Sequence, residues 1–366
     1  MLSNFGPKLT KSEYEIIKAV PQSLNYTQVA EKTGFSVAYV SRKLKALKEK
    51  VTIHGVFDFD IMGLKEIKIL ADYDKDFVQK EGKIKIPFIT GVYHIVTGKK
   101  DYLWIEAYPP KNQVDFFIEG LQLKNYTIYE VGEKFVWMPN KALLTEYSGG
   151  YIFGHIEKIT EIINKVDVSQ PRAKAGRVPD EVDLWLIAKL MKYPFTKISR
   201  EAERTGVRQQ VASYHLIRHV KPLWLYNTVT LKLDPDLIPT KLLYFKVANP
   251  EFAVKFAASL THTPYIIESF VVGNEKNLVI AYATIPGGLE MRLIRTLRNI
   301  DEVLEFDEIG AMEKDVMLRY TIPFGKIVGG GRWIMDGFYQ AIRALSSPKA
   351  MENYKPFYDI LPLVNE

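Results

Sequence analysis

A stretch of this chain is written twice. Thr27-Gln-Val-Ala-Glu-Lys-Thr-Gly34 lines up with Ser199-Arg-Glu-Ala-Glu-Arg-Thr-Gly206 at an offset of 172 residues. Carried on to Leu47 and His219, the register matches identically at Ala30/Ala202, Glu31/Glu203, Thr33/Thr205, Gly34/Gly206, Ser41/Ser213 and Leu44/Leu216. Average composition would supply only about one or two such matches. Downstream, Val96-Thr97-Gly98 aligns with Val271-Val272-Gly273, and Leu103 and Ile105 with Leu278 and Ile280, at an offset of 175. A three-residue insertion in a loop reconciles the two offsets. A chain of 366 residues built this way has to fold as two similar halves.

Each half reads in the same order. An apolar-periodic helix comes first, over Ser12–Val20 and Asp180–Lys192. A short helix follows, opened by Thr27 or Ser199 as N-cap and closed by Gly34 or Gly206. A third helix runs over Val37–Glu49 and Gln209–Val220, followed by Gly55-Val56-Phe57 or Tyr226-Asn227-Thr228 in a β-rich run. The strands expected next are Ile67–Tyr73, Val92–Val96, Tyr102–Ala107 and Thr127–Val131, with helices Phe77–Glu81, ended by Gly82, and Val114–Leu121. In the second half they are Leu242–Val247, Ile266–Val272, Leu278–Thr284 and Val303–Glu308, with helices Glu251–Leu260 and Gly288–Arg298. That order is the ferredoxin-like βαββαβ pattern. The expected fold class is therefore α+β: two tandem repeats, each a winged helix-turn-helix followed by a ferredoxin-like domain. The boundaries are 1–60, 61–140, a helical extension and linker at 141–178, then 179–235, 236–318 and a C-terminal extension at 319–366. Glycine pairs at Gly149-Gly150 and Gly329-Gly330 each lead into a helical stretch.

The helix-turn-helix reading has a mechanical basis. Ala30 allows two helices to cross closely, Gly34 makes the turn, and Val40, Leu44 and Leu47 put one apolar face on the core. The opposite face of the third helix carries Ser41, Arg42, Lys45 and Lys48, a set suited to base edges and phosphates, with Lys50 beside them for phosphates. In the second copy Arg208, Gln209, Gln210, Ser213 and Tyr214 form the equivalent groove-facing set, Gln pairing with adenine and Arg with guanine. There His219 falls where the first copy has Leu47, so the end of that helix is expected to shift register. The net charge of +6 is concentrated: Tyr26–Lys50 carries +4, Lys192–Lys221 carries +5 and Lys165–Val178 carries +3, leaving −6 for the rest. Arg172, Lys174 and Arg177 in the last of these windows, a Pro- and Gly-bearing linker, are further phosphate candidates or simply solvated.

Thr27–Leu47, Gly55-Val56-Phe57 and above all Val96-Thr97-Gly98-Lys99-Lys100-Asp101-Tyr102-Leu103-Trp104 resemble the leucine-responsive/asparagine-operon (Lrp/AsnC) regulators of bacteria and archaea. The resemblance covers residues 10–135 and, more loosely, 180–310. It implies a tandemly duplicated, archaeal-type member: a cytoplasmic, sequence-specific regulator of double-stranded DNA folded as an intramolecular pseudo-dimer, with room for a further homodimer. It implies a small effector such as an amino acid, with Gly98 and Asp101 as contacts. Gly98 serves equally well as a positive-φ hairpin turn. Asp101 becomes Lys276 in the second copy, which departs from the pattern.

The same residues bear on other function classes. The absence of cysteine excludes disulfides, thiolate metal sites and cysteine nucleophiles. Met1–Leu9 has no apolar core of signal-peptide length, and no apolar run would span a bilayer. An architectural chromatin role would use the same modules. An enzymatic alternative comes from a likeness to sirohaem decarboxylases, in which paired halves bind a tetrapyrrole. Val92-Tyr93-His94 followed by Tyr102-Leu103-Trp104 is similar to their His and aromatic pattern, but His94 meets Glu268 or Ser269 in the second half. His215 and His219 share a helix face at a spacing that can hold a metal, without an evident third ligand. The glycines at 329–331 lack the ending of a phosphate loop, and no Ser-His-Asp set stands out. The expectation is thus a DNA-binding protein that is not an enzyme, with no catalytic residues, no cofactor and no metal.

Overall fold

The computed structural model describes residues 6–173, 176–322 and 327–354. Lys174 and parts of the C-terminal extension lie outside them. In the first half, α1 (Lys11–Ala19) opens on a capping box between Thr10 and Glu13. α2 (Tyr26–Thr33) is capped by Asn25, two residues before the expected cap Thr27, and stops at Gly34, whose φ of 72° only glycine adopts cheaply. α3 (Val37–Leu47) buries Val40, Leu44 and Leu47. β1 (Val51–Phe57), β2 (Ile67–Asp72), α4 (Lys75–Ile84), β3 (Ile89–Val96), β4 (Tyr102–Ala107), α5 (Val114–Leu121) and β5 (Thr127–Val136) follow. α4 runs past Gly82; Lys85, with φ of 54°, caps it instead. Gly149 and Gly150, both at positive φ, turn a hairpin between β6 (Thr145–Ser148) and β7 (Tyr151–Gly154) ahead of α6 (Ile159–Ile162).

The second half repeats this order. It comprises α7 (Glu181–Lys192), α8 (Ile198–Thr205), α9 (Gln209–His215), β8 (Trp224–Leu231), β9 (Lys241–Val247), α10 (Pro250–Leu260), β10 (Ile266–Val272), β11 (Glu275–Ala283), α11 (Gly287–Leu297) and β12 (Val303–Arg319). Another glycine hairpin, β13 (Val328–Gly329) with β14 (Arg332–Trp333), precedes α12 (Asp336–Ser346) and α13 (Pro348–Glu352). Between α9 and β8 the chain winds as a π-helix over Leu216–Val220. That extra residue per turn is the register shift expected at His219.

The eight long strands close into one antiparallel barrel in the order β10-β11-β9-β12-β3-β4-β2-β5. Within each half the four strands keep one order, and the halves join at two seams, β12 with β3 and β5 with β10. The strand after each three-helix module makes no wing hairpin within its own half. Instead β1 pairs antiparallel with β8, so the two modules are fastened to each other. Alternation along the barrel strands separates two environments. Ile67, Ile69, Leu103 and Ile105 face one core with helices of the first half. Leu243, Phe245, Val279 and Ala281 face a second, with α10 and α11 residues. Tyr93, Ile95, Trp104, Leu242, Phe270, Leu278 and Ile280 form a third core of their own. No helix among the described residues is long and apolar enough to cross a membrane.

Candidate active site at the barrel mouth

The alternation that points Ile67 and Ile69 at the helices points Lys68 the other way, and Lys68 ends up only 3% exposed in its side chain. A buried ammonium needs partners, and three carboxylates surround it. Lys68 Nζ lies 3.1 Å from Glu66, 3.3 Å from Glu106 and 4.0 Å from Glu268. Glu106 stands opposite it on β4, whereas Glu268 comes from β10 of the other half. Lys134 Nζ, on β5, is 2.6 Å from the second oxygen of Glu66. Tyr282 Oη donates to Glu106 at 2.6 Å and accepts from Trp104 Nε1 at 2.7 Å. Tyr93 Oη donates to the other Glu106 oxygen at 3.5 Å and accepts from Arg319 Nε at 2.9 Å. Gly91 is required here, because a Cβ would lie 2.6 Å from the Tyr93 ring. Three cations and three carboxylates, drawn from both halves, thus form one network.

The network divides its protons unevenly. Burial works against a charged Glu66, but Lys134 and Lys68 outweigh it and lower its pKa to about 2. Burial also opposes a charged Lys68, yet Glu106, Tyr282 and Glu66 hold it well above its ordinary range. Glu106 is held below the carboxylate range by Lys68 and the Tyr282 hydroxyl, against its burial. Glu268 goes the other way: burial raises it more than Lys134 and Lys68 pull it down. Burial and Glu106 raise Tyr93 to about 12, and both raise Tyr282 as well, so these phenols stay neutral donors. Among three neighbouring carboxyls, Glu268 is the one biased toward carrying a proton.

Glu66 and Lys134 also line a cavity of about 350 Å³ between the barrel, β1, β8 and the linker. It shares Lys134, Gln170, Pro171, Leu225 and Tyr226 with a second cavity of about 680 Å³. The two read as one groove of a size that takes a large cofactor-like molecule. Its charged lining is mixed: Lys65 and Arg172 stand with Asp58, Asp60, Glu66 and Glu133 in the first cavity, Lys141 and Lys165 with Asp167 in the second, and Lys134 where the two meet. Phe57, Phe59, Tyr108 and Tyr226 supply aromatic wall. The arrangement can hold a partly planar molecule at the Glu66–Lys134 edge of the network, with Glu268 lying behind that edge rather than in the groove wall.

The residues singled out in the sequence fall elsewhere. Arg42 and Lys45 are exposed on α3 and Ser41 half-buried, with Arg42 5.6 Å from the Tyr39 ring. Lys48 sits 3.9 Å over the Tyr193 ring of the other half. Lys50, expected on phosphates, is instead 2.9 Å from the buried Glu13 carboxylate. Arg208, Gln209, Gln210, Ser213 and Tyr214 are all exposed around α9. Gly98 and Asp101 lie at the β3–β4 turn, in a cleft with Asp72 and Tyr73. Gly98 does not adopt positive φ, so it is not the left-handed turn residue. Asp101 is 3.0 Å from His94 Nε2; Glu313 closes on the other ring nitrogen and Tyr73 stacks on the ring. Tyr93 and Trp104 join the barrel network, whereas His94 points to the other face. Arg177 pairs with Asp183, and Arg172 lies on the groove. Glu66, Lys68, Glu106, Lys134, Glu268, Tyr282 and Arg319 were missed. Three of them left a partial signal, as charges set in largely apolar strands: Lys68, Glu106 and Glu268.

No protein-family model matches the sequence, and no curated protein matches it either. Among solved structures, the siroheme decarboxylase NirDL aligns over 93% of this chain and 100% of its own, at 12% identity and a TM-score of 0.49. The same enzyme in complex with an iron-uroporphyrin III analogue aligns equally. A Neisseria meningitidis transcriptional regulator in complex with L-Met covers 34% of this chain and 90% of its own, at 18% identity and a TM-score of 0.27. The Mycobacterium tuberculosis leucine response regulatory protein covers 33% and 91%, at 13% identity and 0.24. Likeness at this level lends no residue a role. One expectation is corrected: the sequence points to a protein that is not an enzyme, whereas two solved structures that align along nearly its whole length are those of an enzyme.

Proposed function

We propose that this chain is an enzyme that binds a tetrapyrrole-sized polycarboxylate in the groove and removes a carboxylate from it. One observation carries the reading: a proton-biased Glu268 stands in a network of fixed cations that opens, through Glu66 and Lys134, onto a groove lined with further lysines and an arginine. When a carboxylate leaves as carbon dioxide, its bonding electron pair stays on carbon and a proton must replace it. Glu268 supplies that proton and is recharged from solvent. Lys134, Lys141, Lys165 and Arg172 hold the remaining carboxylates by charge-assisted hydrogen bonds. Lys68 and the neutral hydroxyls of Tyr93 and Tyr282 position Glu106 and keep the network rigid. In this reading the halves are tandem units of helix-turn-helix and ferredoxin-like domain, divided near residue 178, and act as one pseudo-dimeric body.

The test uses the purified full chain. Titration with iron-uroporphyrin III should perturb its visible spectrum, and incubation with sirohaem should give products lighter by carbon dioxide. Glu268→Gln should keep the spectral titration and lose turnover. Unchanged turnover in Glu268→Gln, or no spectral response at all, overturns the reading.

A second reading, DNA binding through α3 and α9, is supported by the exposure of Arg42, Lys45, Arg208, Gln209 and Gln210. It is the weaker one, because Lys48 and Lys50 are engaged within the protein. In it an amino-acid-like effector would sit at Gly98 and Asp101.

A further inference from the structure

We propose that Asp180, Asp183, His215 and His219 form a binding site for a single Zn²⁺ ion, joining α7 to the end of α9. The sequence offered two histidines one helical turn apart and no third ligand; the fold brings two carboxylates to them. Asp183 is fully buried and its Oδ1 lies 2.8 Å from His215 Nδ1 and 3.1 Å from His219 Nδ1. The two Nδ1 atoms are 3.2 Å apart. Asp180 Oδ1 is 3.4 Å from His215 Nδ1. One donor atom from each of the four residues fits within a span of 4.8 Å.

These atoms have too few protons for the contacts they make. Arg177 Nη2 donates to the single lone pair of His219 Nδ1 at 2.9 Å, so that nitrogen carries no hydrogen for Asp183 or His215, and it becomes a metal ligand when the guanidinium gives up this bond and keeps the one to Asp183. Asp183 Oδ1 and His219 Nδ1 therefore face each other at 3.1 Å with no hydrogen between them, a contact that a cation bound by both would satisfy. Two imidazole nitrogens and two carboxylate oxygens are a tetrahedral donor set of the kind zinc takes. The supporting groups are in place. Arg177 pairs with Asp183 Oδ2, leaving Oδ1 for the metal. Asp180 and Asp183 are fixed by the capping box that opens α7. Tyr214 packs edge-on against both imidazoles. His215 and His219, four residues apart, share the helix face turned toward α7, His219 lying within the π-helical turn Leu216–Val220. The first half has no such set: Leu47 stands where His219 does in the repeat, so the site belongs to one half alone.

The test takes the full chain, stripped with chelator and dialysed. Titration with Zn²⁺ against a chromophoric chelator should show one ion per chain, and thermal unfolding should move up on addition of Zn²⁺. His215→Asn with His219→Gln should weaken binding by more than about a hundredfold, beyond what loss of a mere supporting partner costs, and should abolish the thermal shift. Co²⁺ substitution of the unaltered chain should give the intense visible bands of tetrahedral coordination, a readout independent of how the variant folds. Absence of a stoichiometric Zn²⁺ equivalent, or an octahedral Co²⁺ spectrum, overturns the proposal.

Discussion

Gly55 and Asn227 face each other directly in the β1–β8 pair, and they are also each other's counterparts at the 172-residue offset of the internal repeat. A residue opposite its own counterpart marks where the pseudo-twofold axis crosses the strands. The two have diverged for different neighbours. Gly55 lets the α7 backbone in: a Cβ there would lie 2.8 Å from the Leu190 carbonyl oxygen. Asn227 is fully buried and its amide donates to the carbonyls of Val20 at 3.0 Å and Ser23 at 2.6 Å.

Both positions should therefore be sensitive, by different mechanisms. Gly55→Ala should destabilise by about 1–3 kcal/mol through overpacking against backbone that has no rotamer to change. Asn227→Ala should cost about 2 kcal/mol by taking the amide donor from the Ser23 carbonyl and the acceptor from Trp224 Nε1, while the Val20 carbonyl keeps the Ser23 N–H. Urea unfolding of each variant measures this; values within error of the parent protein would contradict the packing described.

Glu66 predicts the acid limb of stability. Its folded-state pKa is depressed to about 2 from an ordinary 4.5. Its contribution is full above the ordinary value and is lost as pH falls from there toward 2. Glu66→Gln should remove that part of the slope and, at neutral pH, cost about 3 kcal/mol by leaving Lys134 and Lys68 under-compensated. Unfolding curves at several pH values compare the two directly.

Glu81 predicts the opposite limb. Its carboxyl is buried beneath α4, accepts only the Ile86 N–H at 2.9 Å among the bonds described, and is raised by that burial to about 8. A raised folded-state value favours the fold at low pH, and the benefit is lost as pH climbs from 4.5 toward 8. Glu81→Gln, neutral throughout, should match the parent near pH 4 and exceed it in Tm above pH 8. An identical pH–Tm profile in both proteins would rule the assignment out.

For the nucleic-acid reading, the cations left free on the surface decide the expected result. Neutralising Arg42 and Lys45 together should reduce the slope of log affinity against log salt by about 2, one for each phosphate that no longer meets a cation. Lys50→Gln should instead act on stability, through Glu13. Fluorescence anisotropy on duplex DNA at several salt concentrations separates these, and no measurable binding by the parent protein would retire the reading.

Much of the architecture was legible, because it rests on local signals and on repetition. The glycine caps at Gly34 and Gly206, the apolar face of α3 and the alternating strands follow from residues close together in the chain. The α4 stop does not: Gly82 looks like a terminator, but glycine is tolerated inside a helix that packs well, and Lys85 ends it. The site was far less legible. Lys68, Glu106 and Glu268 each read locally as a charge at a solvent-facing strand position. Only closure of the barrel makes that face an interior, and closure depends on β5 meeting β10 and β12 meeting β3 across the repeat. The same holds for His215 and His219, whose partners Asp180 and Asp183 lie more than thirty residues away, at the other end of the helical module.

The covalent joining of the halves changes what kind of equilibrium their pairing is. Two separate chains meeting at the β12–β3 and β5–β10 seams would come apart on dilution, and each would show the solvent two unpaired strand edges. Here each half sees its partner at the effective concentration of a tether, of the order of millimolar for a short linker, whatever the concentration of the protein. Pairing therefore no longer requires the two surfaces to be copies of one another. A lysine can be set against a carboxylate of the opposite half, and a histidine pair can be kept in one module and dropped from the other, with no loss of assembly. The asymmetry that carries the chemistry is a dividend of being one molecule.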